Sequence, residues 1–163
     1  MRKEENPVEF FVADLLVNHF HQSRLFYEGI SLTSNGRIAV PDFNVQLDDR
    51  ILLIETTTAP FTILNDPKES QRRIVMEATS ETNEYAWMFL YLQHCVTSTG
   101  ISLVIESLNL LINGEPSLAI QSSLDSYSLN CQRCLPFRKV DWHALRKEVF
   151  GYDHLPKITF WND

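Results

Sequence analysis

Hydrophobic spacing changes period several times along the chain, and each change marks an expected element. Asn6-Pro7-Val8-Glu9 predicts a helix start, with Asn6 as N-cap, Pro7 at the first helical position and Glu9 three residues after the cap. The helix is expected to run to about His21. Glu9 shares the apolar stripe of Val12, Ala13 and Leu16 and so faces inward, while Asp14, Asn18 and His21 form a separate polar stripe. Leu25–Leu32 predicts a short strand, closed by the Ser34-Asn35-Gly36 turn. Residues 38–45 and 51–57 are rich in Ile, Val and Leu and flank Asp48-Asp49, which predicts a β-hairpin. Thr56–Thr58 continues the second strand until Ala59-Pro60 ends it.

Asp66-Pro67-Lys68-Glu69 is the most complete helix start in the chain. The helix it opens is expected to reach about Cys95, with Ile74, Ala78, Tyr85, Met88, Phe89 and Leu92 on its buried side and a break near Thr79-Ser80. Ile101–Ile112 and Ser117–Gln121, joined by Asn113-Gly114-Glu115-Pro116, predict two more strands. Ser122–Cys134 reads as a polar surface loop, and Val140–Phe150 as a closing helix stopped by Gly151 and Pro156. The pattern predicts an α/β fold: a mixed central sheet of about five strands flanked by helices.

The 163 residues, 44% hydrophobic, suffice for one domain, 1–163, with a real core and no need of disulfides or metal for stability. No run of about eighteen apolar residues occurs, and Met-Arg-Lys-Glu-Glu-Asn lacks the apolar stretch of a signal peptide. The expectation is a soluble, intracellular protein with no membrane partner, and the three cysteines fit a reducing compartment. With 21 acidic against 14 basic side chains the net charge is −7. Any grip on nucleic acid must then be local or shared.

Two carboxylates change the picture. Ile38, Val40 and Asp42 share one face of the first hairpin strand, and Ile51, Leu53, Glu55 and Thr57 share one face of the second. Each acid ends an otherwise apolar face, where a lone carboxylate is costly unless paired or bound to metal. Two of them converging at a hairpin end point to a divalent cation. Glu9 is either a capping-box glutamate bent back onto the Asn6 amide or a further ligand. Lys68 stands in the first turn of its helix, where the dipole disfavours a cation. Cys131-Gln-Arg-Cys134 has zinc-like spacing but no second pair, and only Cys95, His143 or His154 to complete it. Trp87, Phe89 and Trp142 at helical positions are expected in the core rather than as a base-stacking platform, and Asp141 as a helix cap. Nothing resembles a phosphate loop, a serine triad or a dinucleotide fingerprint.

Val-Pro-Asp42, followed thirteen residues later by Ile-Glu55 on an apolar strand, resembles the Pro-Asp…Asp/Glu-x-Lys core of restriction-endonuclease-like nucleases. More narrowly, the chain resembles the cap-snatching endonuclease domain at the N-terminus of the polymerase L protein of bunyavirus-like and arenavirus-like segmented negative-strand RNA viruses. In that family the same spacing separates the acids, a first helix supplies a third ligand, and a later helix carries the catalytic lysine. The order here is similar: helix with Glu9, hairpin with Asp42 and Glu55, helix with Lys68, hairpin 101–121, closing helix 140–150. Thr57 stands where many members have lysine, as in hantavirus-like members, which place the lysine further along. No histidine fits the first-helix position, where arenavirus-like domains use glutamate. A competing register, Ile74-Val75-Met76-Glu77 with Ala86-Trp87, resembles the influenza-type endonuclease and would move the site to Glu77, losing the other acids. The third ligand stays open between Glu9, Asp14 and Glu77.

The resemblance implies a restriction-endonuclease-like fold and hydrolysis of capped, single-stranded host RNA to supply primers for viral transcription. It implies one or two Mn²⁺ or Mg²⁺ ions held by Glu9, Asp42 and Glu55, with Thr56 offering a carbonyl oxygen. Lys68 would be catalytic with the two acids, and Arg72 and Thr57 would contact substrate. It also implies a monomeric domain joined to the rest of a viral polymerase, in the host cytoplasm or the virion. A second class is a degenerate nuclease fold kept for structure or RNA docking, and a third is a microbial DNA nuclease of the same fold.

Overall fold

Ile51–Ile54 and Ala86–Leu90 are continuous apolar runs, which bury well only as sheet strands covered on both faces. Both are strands in the computed structural model, which describes residues 7–57, 69–91, 97–130 and 141–151. The helices are α1 (Pro7–His19), α2 (Glu69–Thr79), α3 (Ser98–Ile112), α4 (Ser117–Asn130) and α5 (Trp142–Phe150). The strands are β1 (Leu25–Tyr27), β2 (Leu32–Ser34), β3 (Arg37–Ala39), β4 (Phe43–Gln46), β5 (Ile51–Thr57) and β6 (Tyr85–Tyr91). The fold is α/β. Its mixed four-stranded sheet has the order β1-β4-β5-β6, with β2 and β3 forming a separate two-stranded sheet.

β4 and β5 are antiparallel around a turn in which the Leu47 N–H donates to the Arg50 carbonyl at 2.8 Å, so Asp48-Asp49 makes the predicted hairpin. Arg24 braces this turn through Asp48 at 2.9 Å and the Gln46 carbonyl at 3.2 Å. β5 and β6 are parallel and need a crossover, which α2 supplies. Alternation then sorts two cores. Leu52, Ile54, Met88 and Leu90 pack with α1, α3 and α4 on one face. Leu53, Trp87 and Phe89 pack with Ile74 and Val75 of α2 and with the β2–β3 hairpin on the other.

Several expectations give way. The first hairpin strand was expected over 38–45, but Pro41 lies between β3 and β4, and the two belong to different sheets. Ile38 is consequently 65% exposed and Val40 36% exposed, so Asp42 does not end a buried face made by them. The long helix to Cys95 stops at Thr79, near the expected break, and Tyr85–Tyr91 is a strand. Its aromatic and apolar residues serve both cores, which a helix could not do. The segments 101–112 and 117–121 are helices, with Thr97 capping α3 by accepting from the Gly100 N–H at 3.0 Å. Ser122–Asn130 continues α4 rather than forming a loop. About five strands in one sheet therefore become four plus two.

Other expectations hold. Pro7 opens α1, and Asp141 caps α5 by accepting from the Ala144 N–H at 3.1 Å. Gly151, with φ of 74°, ends α5 in the left-handed conformation that glycine tolerates. Trp87 and Phe89 are 8% and 1% exposed and stack at 4.7 Å, which makes them core, though on a strand. Asn6, 58–68 with Lys68, Cys95, Cys131, Cys134 and His154 lie outside the described residues. Among the described residues no helix is long and apolar enough to cross a membrane.

Candidate functional site

β4 begins one residue after Asp42, and the pairing Phe43↔Ile54 carried one step further sets Asp42 opposite Glu55. The spacing of the two acids in sequence thus becomes adjacency across the hairpin. Both are buried, Asp42 at 8% and Glu55 at 1% exposure. Asp42 Oδ2 accepts from the Thr56 N–H at 2.8 Å and from Thr56 Oγ1 at 2.7 Å. The carboxylate thereby extends the β4–β5 ladder past the end of β4, where a backbone carbonyl would otherwise serve.

The backbone around Asp42 is fixed as well. Its carbonyl accepts from the Glu28 N–H at 2.9 Å, and Asn44 Nδ2 donates to the Glu28 carbonyl at 2.6 Å. Glu28 has φ of 58°, in the left-handed region that non-glycine residues seldom occupy. The turn after β1 is thus strapped to the segment bearing the first acid, and Asn44, 2% exposed, is a positioning residue that sequence spacing did not single out.

Glu55 has the strand parity of Leu53, whose cluster includes Ile74 and Val75, so it faces the α2 side of the sheet. Arg72 of α2 is 1% exposed, and the arginine that α2 turns to solvent is Arg73. Thr56 is 6% exposed. Thr57 ends β5, and Glu9 lies in the first turn of α1, but neither side chain is among those described.

Asp14 corrects the helical-wheel reading. It is 0% exposed within an unbroken buried stretch, Phe11–Leu16, because α1 packs between the sheet and α5 and has no solvent stripe there. Glu77 is exposed, and its Oε2 accepts from Ser34 Oγ at 2.8 Å and Asn35 Nδ2 at 3.4 Å. It latches the β2–β3 hairpin to α2, well accounted for without a metal. Among the described residues no three histidine, cysteine or acidic side chains form a group that could hold a metal ion, so Asp42 and Glu55 stand as a pair that neither Asp14 nor Glu77 completes.

Two adjacent buried carboxylates form an all-oxygen donor set, which suits Mn²⁺ or Mg²⁺ better than zinc. No protein-family profile, curated protein or solved structure matches the chain.

Proposed function

We propose that the protein is a divalent-metal-dependent endonuclease that cleaves single-stranded RNA, of the cap-snatching kind that supplies primers to a viral polymerase. The observation that carries this reading is the buried cross-strand pair of Asp42 and Glu55, with Asp42 fixed by Thr56. Two carboxylates side by side on adjoining strands offer several oxygen donors to one divalent cation, and the resemblance names the same two as metal ligands. Asp42 and Glu55 would hold the ion, with Glu9 and the Thr56 carbonyl as further oxygen donors. When bound, it polarises the scissile phosphate and lowers the pKa of attacking water. Lys68 offsets charge developing on the phosphate, and the strapping of Asp42 by Thr56, Glu28 and Asn44 keeps its carboxylate positioned between turnovers.

The degenerate-fold reading draws on Thr57 in place of lysine and on Asp42's ladder role, which would keep the acid without catalysis. Thermal melts in Mn²⁺ with a labelled unstructured RNA decide between them. A bound ion at a hundredfold excess over its Kd stabilises the fold by about 2.7 kcal/mol. Asp42→Asn, which keeps an acceptor for Thr56, and Glu55→Gln should each abolish the Mn²⁺-induced shift and the cleavage. Lys68→Ala should keep the shift and lose about 10²–10³ in rate. A melting point indifferent to millimolar Mn²⁺, or a metal-binding protein that cuts nothing, would transfer the domain to the non-catalytic class.

A further inference from the structure

The β2–β3 hairpin and α2 enclose a cleft of about 340 Å³ between Ser34, Asn35 and Arg37 on one wall and Ser70, Arg73 and Glu77 on the other. Ile74, 5% exposed, also lines it. Each wall thus brings one guanidinium, Arg37 or Arg73, a donor group that suits the oxygens of a phosphate, and the α2 wall adds the Ser70 hydroxyl. Ser70 and Arg73 are three residues apart on α2 and share a face. Arg37 opens β3 directly after the Asn35-Gly36 turn, whose φ values of 52° and 76° make the reversal tight. The hydrogen bonds from Ser34 and Asn35 to Glu77 hold the hairpin against the helix. They keep the two walls that carry Arg37 and Arg73 facing one another and draw the Glu77 carboxylate toward the hairpin turn.

We propose that this cleft binds a backbone phosphate of single-stranded nucleic acid and directs the strand along α2; the assignment rests on the nuclease reading above. The cleft lies on the side of the sheet that Glu55 faces, since Ile74 belongs to the same cluster as Leu53. Its volume exceeds that of one phosphate and falls in the range of nucleotide-sized pockets. A chain of net charge −7 repels a polyanion unless cations are grouped locally, and on these walls Arg37 and Arg73 outnumber the one carboxylate, Glu77.

The test is fluorescence anisotropy of a labelled, unstructured RNA with the full chain in EDTA, so that binding is read without cleavage. Arg37→Gln with Arg73→Gln should weaken binding at least tenfold and flatten the dependence of log affinity on log salt by about 0.7 for each phosphate left without its arginine. Arg24→Gln, whose guanidinium pairs with Asp48 on the surface, should bind as wild type does. Equal RNA affinity in wild type and the double variant, or no RNA binding by wild type, overturns the proposal. So does competition by adenosine monophosphate as effective, per phosphate, as that of the RNA, because the cleft would then be a small-molecule site. The Mn²⁺-induced melting shift of the same proteins keeps the two readings apart. Arginine-dependent RNA binding without any Mn²⁺ shift would support the cleft and sink the nuclease, and a Mn²⁺ shift with arginine-independent RNA binding would do the reverse.

Discussion

His19 ends α1, where the helix dipole favours a cation by a few tenths of a kcal/mol, yet its pKa lies below the ordinary histidine range. Burial is the larger cause, only partly offset by the hydrogen bond to the Asn109 side chain. The ring also packs edge-on against Phe20 at 4.6 Å. The folded protein therefore holds His19 neutral at pH values where the unfolded chain already takes up the proton. Stability from this site is complete above about pH 6.5 and is lost as pH falls below it, levelling off once the folded form is protonated too. Between about pH 7.5 and pH 5.5 the thermal midpoint should fall less in His19→Gln than in wild type. Parallel pH profiles would show that carboxylates, not this histidine, set the acid limb. The same scale explains the misplacement of Asp14: a helical wheel assigns faces on the assumption that one face meets water, and Phe11–Leu16 meets none.

At the scale of elements, α4 closes the sheet. Among the described residues β6 is the last strand of the sheet, and its outer edge is met by side chains: Ser117 Oγ accepts from the Trp87 N–H at 3.0 Å, Gln121 Oε1 from the Phe89 N–H at 2.9 Å, and Gln121 Nε2 donates to the Phe89 carbonyl at 3.1 Å. Four residues of helix rise about 6 Å and two residues of strand about 6.6 Å, so residues 117 and 121 come into step with 87 and 89. Gln121→Leu keeps the volume but removes both partners from Phe89, at about 1–3 kcal/mol for each buried group. Urea unfolding should show a loss of about 2–4 kcal/mol, and a loss under 1 kcal/mol would mean that the clamp is ornamental. Ser117 and Gln121 carried no legible sign of this role, since what they bond to is thirty and thirty-two residues away. α3 failed for a different reason. Its β-branched, apolar residues suit a strand, but its buried positions Val104, Leu108 and Leu111 keep helical spacing, which was the better guide.

For the whole molecule, the turn chemistry and the acid pair were readable because they are local: Asn35-Gly36, Asp48-Asp49, Asp141, Gly151, and the thirteen-residue interval from Asp42 to Glu55. The partition of 85–91 into the sheet and of 101–130 into helices depends on tertiary burial that no single segment announces. The Arg37–Arg73 cleft was hidden because its walls come from a hairpin and a helix far apart in sequence. The closure of β6 also has a consequence in time. Translation delivers α4 about thirty residues after the strand it covers, a delay of roughly 2–6 s at about 5–20 residues per second. Through that interval Trp87, Met88 and Phe89 present an open, apolar template for strand addition. A nascent chain stalled after Gly114 should therefore self-associate, giving light scattering at micromolar concentration where the full chain gives none. A peptide of residues 115–130 supplied in trans should suppress it, and a stalled chain that stays dispersed would show that the edge is guarded before α4 arrives.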